Sequence, residues 1–299
     1  MTATQEPARI RIAGHDGVAL NVWDYGGAGP TLLLCHCTGT TGRIWDPLVT
    51  HLRQSFHVYA LDSRGHGDSD KPTEREAYTW ENCGRDALKV AEHLNVAEGL
   101  FAAGHSGGGT HLVHAELLRP GTFRKMALLD AIVAPHAAFT GKNPMSRIAQ
   151  RRRESFASRA EARAHFAAKP PMSAWNAAAL DAYVAHGLED RPDGRVWLKC
   201  PRRVEAYFYE MAPGCDAFEH IHEIAVPTLL VTAEHSNVGF LPRMQRERMP
   251  GAQMRVLPRA SHFFPQEDPE ATARALVEWL CEKAGRKDNK DIKDIKDSA

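Results

Sequence analysis

The chain has 299 residues, long enough for one large α/β domain or a domain with an insertion, and 43% hydrophobic with 25% charged residues is the make-up of a soluble globular protein. Its 37 basic and 37 acidic residues cancel, so the charge balance calls for neither nucleic acid nor an anionic membrane as partner. There is no apolar run of roughly 18 residues, no apolar signal core near the first residue, and no disulfide or zinc spacing among the six cysteines. A reduced, cytoplasmic protein is therefore expected, with its oligomeric state left open.

Residues 8–13 and 17–24 read as a hairpin about the Asp16-Gly17 turn. After Gly26-Gly27-Ala28-Gly29-Pro30, Thr31 to Cys35 forms a continuous apolar run typical of a buried parallel strand. It leads into the polar loop His36-Cys37-Thr38-Gly39 and a helix carrying Trp45, Leu48, Val49 and Leu52. Cys35-His36-Cys37 ends a strand and has no second ligand cluster, so no metal is expected there. Phe56 to Leu61 is a further strand, followed by Asp62 to Ser69 and a helix over about 78–94.

Leu100 to Ala103 then meets Gly104-His105-Ser106-Gly107-Gly108, a G-x-S-x-G spacing between a strand and a helix. Such a turn forces the serine hydroxyl outward, and side chains at 104 or 108 would collide with neighbouring elements. The helix behind it aims free N–H groups at the place where an oxyanion would form. Ser106 is thus a candidate nucleophile. Gly107-Gly108-Gly109 lacks the lysine and spacing of a phosphate loop, and no nucleotide, flavin or metal signature appears, so no cofactor is expected.

Lys125 to Leu129 is the next strand and ends on Asp130. From about 135 to 222 the alternation stops, and helices are expected over 145–157, 159–168, 174–186 and 200–211, with Arg151-Arg152-Arg153 on a solvated face. Strands at 226–232 and 253–257 and helices at 240–248 and 269–284 resume the pattern. The Lys- and Asp-rich tail is too polar to bury a core and is expected to be disordered over 285–299.

These motifs, in this order, resemble the α/β-hydrolase fold family over residues 8 to 284. The resemblance implies a mostly parallel eight-stranded sheet flanked by helices. It places the core at 1–134 and 223–284, with an all-helical cap over 135–222 inserted after the sixth strand. It also implies that His262, in the loop after the last strand, is the base for Ser106, while His36 and His66 support loops. The acid has two candidates. The family's commoner place, after the strand at 226–232, holds Ser236, with Glu234 nearby. Branches such as the haloalkane dehalogenases put it after the preceding strand, where Asp130 stands, and Asp130 is favoured. The oxyanion hole would use the N–H groups of Gly107 and Thr38, Cys37 being a further possibility in that loop. Cys37 as a second nucleophile is disfavoured, because nothing near it in sequence would depress its pKa.

A serine nucleophile argues against the aspartate-dependent dehalogenase and epoxide hydrolase branches and for acyl transfer. The function expected is hydrolysis of a small carboxylic ester. A C–C bond or lactone hydrolase would use the same residues, and a non-catalytic receptor on this fold is the alternative of another class. Trp175, Tyr183, Trp197 and Tyr207 are candidates to line the pocket, with Phe208 and Tyr209, although most are expected in the cap's own core.

Overall fold

The structure, a computed structural model, describes residues 6–94, 96, 99–139 and 143–282. The tail at 285–299 lies outside them. Eight strands form one sheet: β1 (Ala8–Ala13), β2 (Ala19–Asp24), β3 (Thr31–Cys35), β4 (His57–Asp62), β5 (Leu100–His105), β6 (Phe123–Leu129), β10 (Thr228–Ala233) and β11 (Gln253–Leu257). Their spatial order is β1-β2-β4-β3-β5-β6-β10-β11. β1 and β2 make the antiparallel hairpin and β2 runs antiparallel to β4; all other pairings are parallel.

β3 and β5 lie at the centre, in register from Leu32–Phe101 to Cys35–Gly104. Every residue of β5 is buried, and Leu32, Leu33 and Leu34 have no exposed surface, because helices cover both faces. Each such leucine contributes roughly 1.5–3 kcal/mol on leaving water. This two-sided burial is why the strands read as unbroken apolar runs. The covering helices are α1 (Asp46–Leu52), α2 (Trp80–Leu94) and α3 (Gly107–Leu118), together with the helices Phe240–Arg248 and Pro269–Cys281 late in the chain.

Between β6 and β10 the chain leaves the sheet. Helices α4 (Pro144–Gln150), α5 (Arg159–Ala167), α6 (Ala177–His186) and α7 (Arg202–Met211) stand near the expected places. This segment is not helical throughout. β7 (Ser155–Phe156), β8 (Leu188–Asp190) and β9 (Val196–Leu198) form a small antiparallel sheet in the order β7-β9-β8. The helix expected over 145–157 stops at Gln150, and its last residues enter β7. Strands of two and three residues are too short to show an alternating pattern. The segment packs into the main core through Phe156, Phe166, Trp175 and Tyr183.

Candidate active site

Ser106 sits between β5 and α3 with φ 55° and ψ −121°, a backbone conformation that costs a non-glycine residue about 1–3 kcal/mol. Backbone hydrogen bonds hold it. Its N–H donates to the Leu129 carbonyl at 2.9 Å, and its own carbonyl accepts from Gly109 (3.1 Å) and Ile132 (3.3 Å). The flanking glycines are required sterically. A Cβ at 104 would lie 2.6 Å from the Gly108 carbonyl oxygen, and one at 108 would lie 2.3 Å from that of Cys35.

Asp130 follows β6 directly, with φ 45° and no exposed surface. Its N–H donates to Val231 on the neighbouring β10 at 2.8 Å. Its Oδ2 lies 3.2 Å from Nδ1 of His262, and its Oδ1 is buried with no partner among the described residues. The loop behind it is tied down from two helices. Thr110 Oγ1 donates to the Ile132 carbonyl (2.9 Å), and Gln245 Nε2 donates to the carbonyls of Ala131 (2.8 Å) and Val133 (2.9 Å). Gln245 carries no sequence signal; it is one polar residue in an ordinary surface-helix pattern.

Glu234 points elsewhere. It is exposed, and its Oε2 accepts the N–H of Arg259, which sits at φ 54° in the turn before His262. Ser236 Oγ accepts the N–H of Val238. Of the two carboxylates read from sequence, the structure brings Asp130 to His262.

His262 is positioned from below by the residue before Ser106. His105 is fully buried, its Nε2 is 2.9 Å from the His262 carbonyl, and the two rings lie 4.9 Å apart. Burial first, and His262 second, push His105 well below its ordinary pKa. It is a neutral ring whose Nε2–H meets a carbonyl oxygen.

Two more neutral histidines build the loop after β3. The N–H of Ser63 donates to His36 Nε2 (3.1 Å), and His36 Nδ1 meets the Cys37 carbonyl (2.8 Å). The N–H of Gly39 donates to His66 Nε2 (2.9 Å), and His66 Nδ1 meets the Arg64 carbonyl (3.0 Å). Each ring needs an unprotonated Nε2, and burial lowers both pKa values, that of His66 far below its ordinary value. Thr38 lies over the elbow: a Cβ on Gly107 would be 2.8 Å from Thr38 Oγ1 and 3.9 Å from Thr38 N. Neither the Gly107 nor the Thr38 N–H meets an acceptor among the described residues. Cys37 is buried, with Sγ 3.5 Å from Thr40 Oγ1, and burial pushes its thiol up to about 11, so it is no thiolate at neutral pH.

A cavity of about 1070 Å³ opens beside these groups, lined by Thr38 and His262 and, from the inserted segment, by Phe166, Met172, Trp175 and Tyr209. Trp175 and Tyr209 are the aromatics from the sequence reading that line it. Trp197 does not: its indole N–H bonds Asp193 (3.1 Å) and Arg191 covers its ring. Tyr207 and Phe208 pack on Tyr78, away from the cavity. Tyr183 lies one layer behind, where its hydroxyl donates to the Gly39 carbonyl at 3.2 Å.

The arginine run also departs from expectation. Arg152 turns inward, pairs with Glu205 at 2.6 Å and donates to the Tyr183 hydroxyl. A Cβ on Gly39 would be 3.1 Å from its Nη1.

Three likenesses bear on this arrangement. Probable oxidoreductase EphD of Mycobacterium tuberculosis is 31% identical over 136 residues, 45% of this chain and 23% of that protein, so the match spans less than a quarter of that relative's length. A 2-(acetamidomethylene)succinate hydrolase from Mesorhizobium japonicum is 25% identical over 268 residues, 88% of this chain and 92% of the relative. The crystal structure of an E-2-(acetamidomethylene)succinate hydrolase superposes with a TM-score of 0.78 at 23% identity, covering 92% of this chain and 100% of that one. The family model described as the alpha/beta hydrolase family matches residues 32–275. The chain belongs to the alpha/beta hydrolase family.

Proposed function

We propose that the protein is a serine hydrolase that cleaves a small carboxylic ester through an acyl-enzyme on Ser106, with His262 as base and Asp130 as the acid behind it. The observation that carries this reading is the 3.2 Å contact of His262 Nδ1 with the buried carboxylate of Asp130, on the loop next to the elbow. That contact leaves His262 Nε2 for the serine. In the first half-reaction Ser106 Oγ bonds to the carbonyl carbon and its proton passes to His262. The tetrahedral oxyanion faces the N–H groups of Gly107 and Thr38. The C–O bond to the alcohol then breaks, and His262 returns the proton to the leaving alkoxide. In the second half-reaction water gives its proton to His262 and its hydroxyl to the acyl carbon; the acid departs and Ser106 recovers its proton. Both half-reactions use these side chains, two backbone N–H groups and one water. The relative matched over most of its length is named as a hydrolase, which supports the reaction class.

Hydrolysis of p-nitrophenyl acetate and butyrate, followed beside the Ser106→Ala variant, tests the reading. Turnover lost in Ser106→Ala, with a burst of nitrophenolate in the native protein, is expected. Absence of both burst and turnover across acyl lengths, with retained binding of a small ligand, would instead mark a receptor on this fold.

A further inference from the structure

The charges of the whole chain cancel, yet the cavity beside His262 is bordered by Arg151, Arg152, Arg153 and Lys169 against Glu205 and Glu267. Both carboxylates are already engaged. Glu205 holds Arg152, and Glu267 accepts the N–H and the hydroxyl of Ser261. Arg153 is matched by Glu161 at 2.6 Å. Arg151 and Lys169 differ: both are exposed, both line the cavity, and neither side chain has a hydrogen-bond or ion-pair partner among the described residues. On the same inserted segment Arg159, Arg163 and Arg191 each meet a carboxylate. Arg151 and Lys169 are thus two exposed cations on the cavity's wall with no counter-charge among the described residues.

The positive field is felt inside the cavity. His165, which also lines it, has its pKa lowered by burial first and then by Lys169 and Arg153. Deeper in, the wall is apolar, with Phe166, Met172, Trp175 and Phe263. A cavity that carries His262 and Thr38, apolar walls and two exposed cations suits a ligand that is neutral at its reacting end, hydrocarbon in the middle and anionic at the far end. An anion at a solvent-open rim keeps part of its hydration while gaining two counter-charges, so it avoids the desolvation cost of a buried ion.

We propose that this cavity takes an acyl substrate carrying a carboxylate distal to the scissile bond, such as a half-ester of a dicarboxylic acid, and that Arg151 and Lys169 receive that carboxylate. The proposal rests on Ser106 being the nucleophile, which fixes the reacting end.

Monomethyl glutarate and methyl pentanoate test it. They share chain length and scissile ester, and differ in a terminal carboxylate against a methyl group. In the native protein kcat/KM for the half-ester, followed by pH-stat, is expected to exceed that for methyl pentanoate by tenfold or more at low salt. In the Arg151→Glu, Lys169→Glu double variant that ratio falls by tenfold or more, and raising the salt lowers it in the native protein alone. A native ratio at or below one, or a ratio unchanged in the double variant, overturns the proposal. Titration calorimetry of glutarate into Ser106→Ala gives a readout independent of turnover. If neither ester is cleaved, the hydrolase reading fails; glutarate binding that the charge reversals abolish still supports the anion site, and no binding overturns it.

Discussion

The hydroxyl of Tyr183, in the segment inserted between β6 and β10, donates to the carbonyl of Gly39, in the loop after β3, at 3.2 Å. Arg152 donates to the same hydroxyl and is itself fixed by Glu205. From the other side the N–H of Gly39 donates to His66. Gly39 is therefore held at both its carbonyl and its N–H, from the insertion and from the core, beside the Thr38 N–H proposed for the oxyanion hole.

Removing the Tyr183 hydroxyl tests whether this clamp matters for the transition state. A buried hydrogen bond of this kind contributes roughly 0.5–1.5 kcal/mol. Tyr183→Phe keeps the ring against Phe166 and Trp175. The expected outcome is a fall of about three- to tenfold in kcat with KM within twofold, measured on p-nitrophenyl butyrate. A change confined to KM would place Tyr183 in substrate binding and not in loop positioning.

The acid assignment separates cleanly by mutation. Asp130→Asn keeps the shape at His262 but removes the charge and lets an amide NH2 face Nδ1, favouring the wrong tautomer of the ring, so a loss on the order of 10²–10⁴ in kcat/KM is expected. Glu234→Gln changes an exposed group that accepts the N–H of Arg259 in a turn. Its expected effect is within about twofold on kcat/KM. The reverse ranking would move the acid to Glu234.

These residues show where sequence was informative. The elbow was legible because sterics dictate it: only glycine fits at 104 and 108, so the chemistry is written into residue type. The strands were legible because burial on both faces leaves unbroken apolar runs, as in β3 and β5. Choosing between Asp130 and Glu234 was harder, since both follow strand ends and differ only in which way a side chain turns. Arg259, at a positive φ, supplies the N–H that draws Glu234 away, and nothing in its residue type announces that. The inserted segment was least legible. Its short strands carry no periodicity, and whether Trp175 or Trp197 faces the cavity depends on tertiary packing alone.

Acid should unfold this protein early. His36, His66, His105 and His111 are buried, and burial lowers the pKa of each, that of His111 to about 3. A histidine lowered in the fold takes up a proton on unfolding once pH falls below its ordinary value near 6.5. Stability is therefore fully present above about 6.5 and declines as pH falls, by up to ~1.4 kcal/mol per pH unit for each such ring. Urea unfolding between pH 7.5 and 4.5 is expected to show a slope exceeding that of one histidine. His111 has no partner on either nitrogen among the described residues, so His111→Leu should flatten the slope by about one proton. Stability constant from pH 7 to 5 would contradict this account.

Gln245 braces the loop of Asp130 from outside the site. Its Nε2 bonds the carbonyls of Ala131 and Val133, flanking the loop that sets Asp130 at φ 45°. Gln245 is 1% exposed, so water cannot replace it. Gln245→Leu removes both bonds at nearly constant volume and leaves the Val133 carbonyl unpaired, while that of Ala131 keeps the Val133 N–H at 3.0 Å, at a cost of about 1–3 kcal/mol. If Asp130 owes its direction to that bracing, the variant loses activity beyond what its lower Tm explains. At a temperature where both proteins are folded, kcat should fall by about tenfold while KM stays within twofold. In an Asp130→Asn background the same substitution should cost little further activity, because the carboxylate it positions is already absent. Equal losses in both backgrounds would show that Gln245 serves the fold and not the orientation of Asp130.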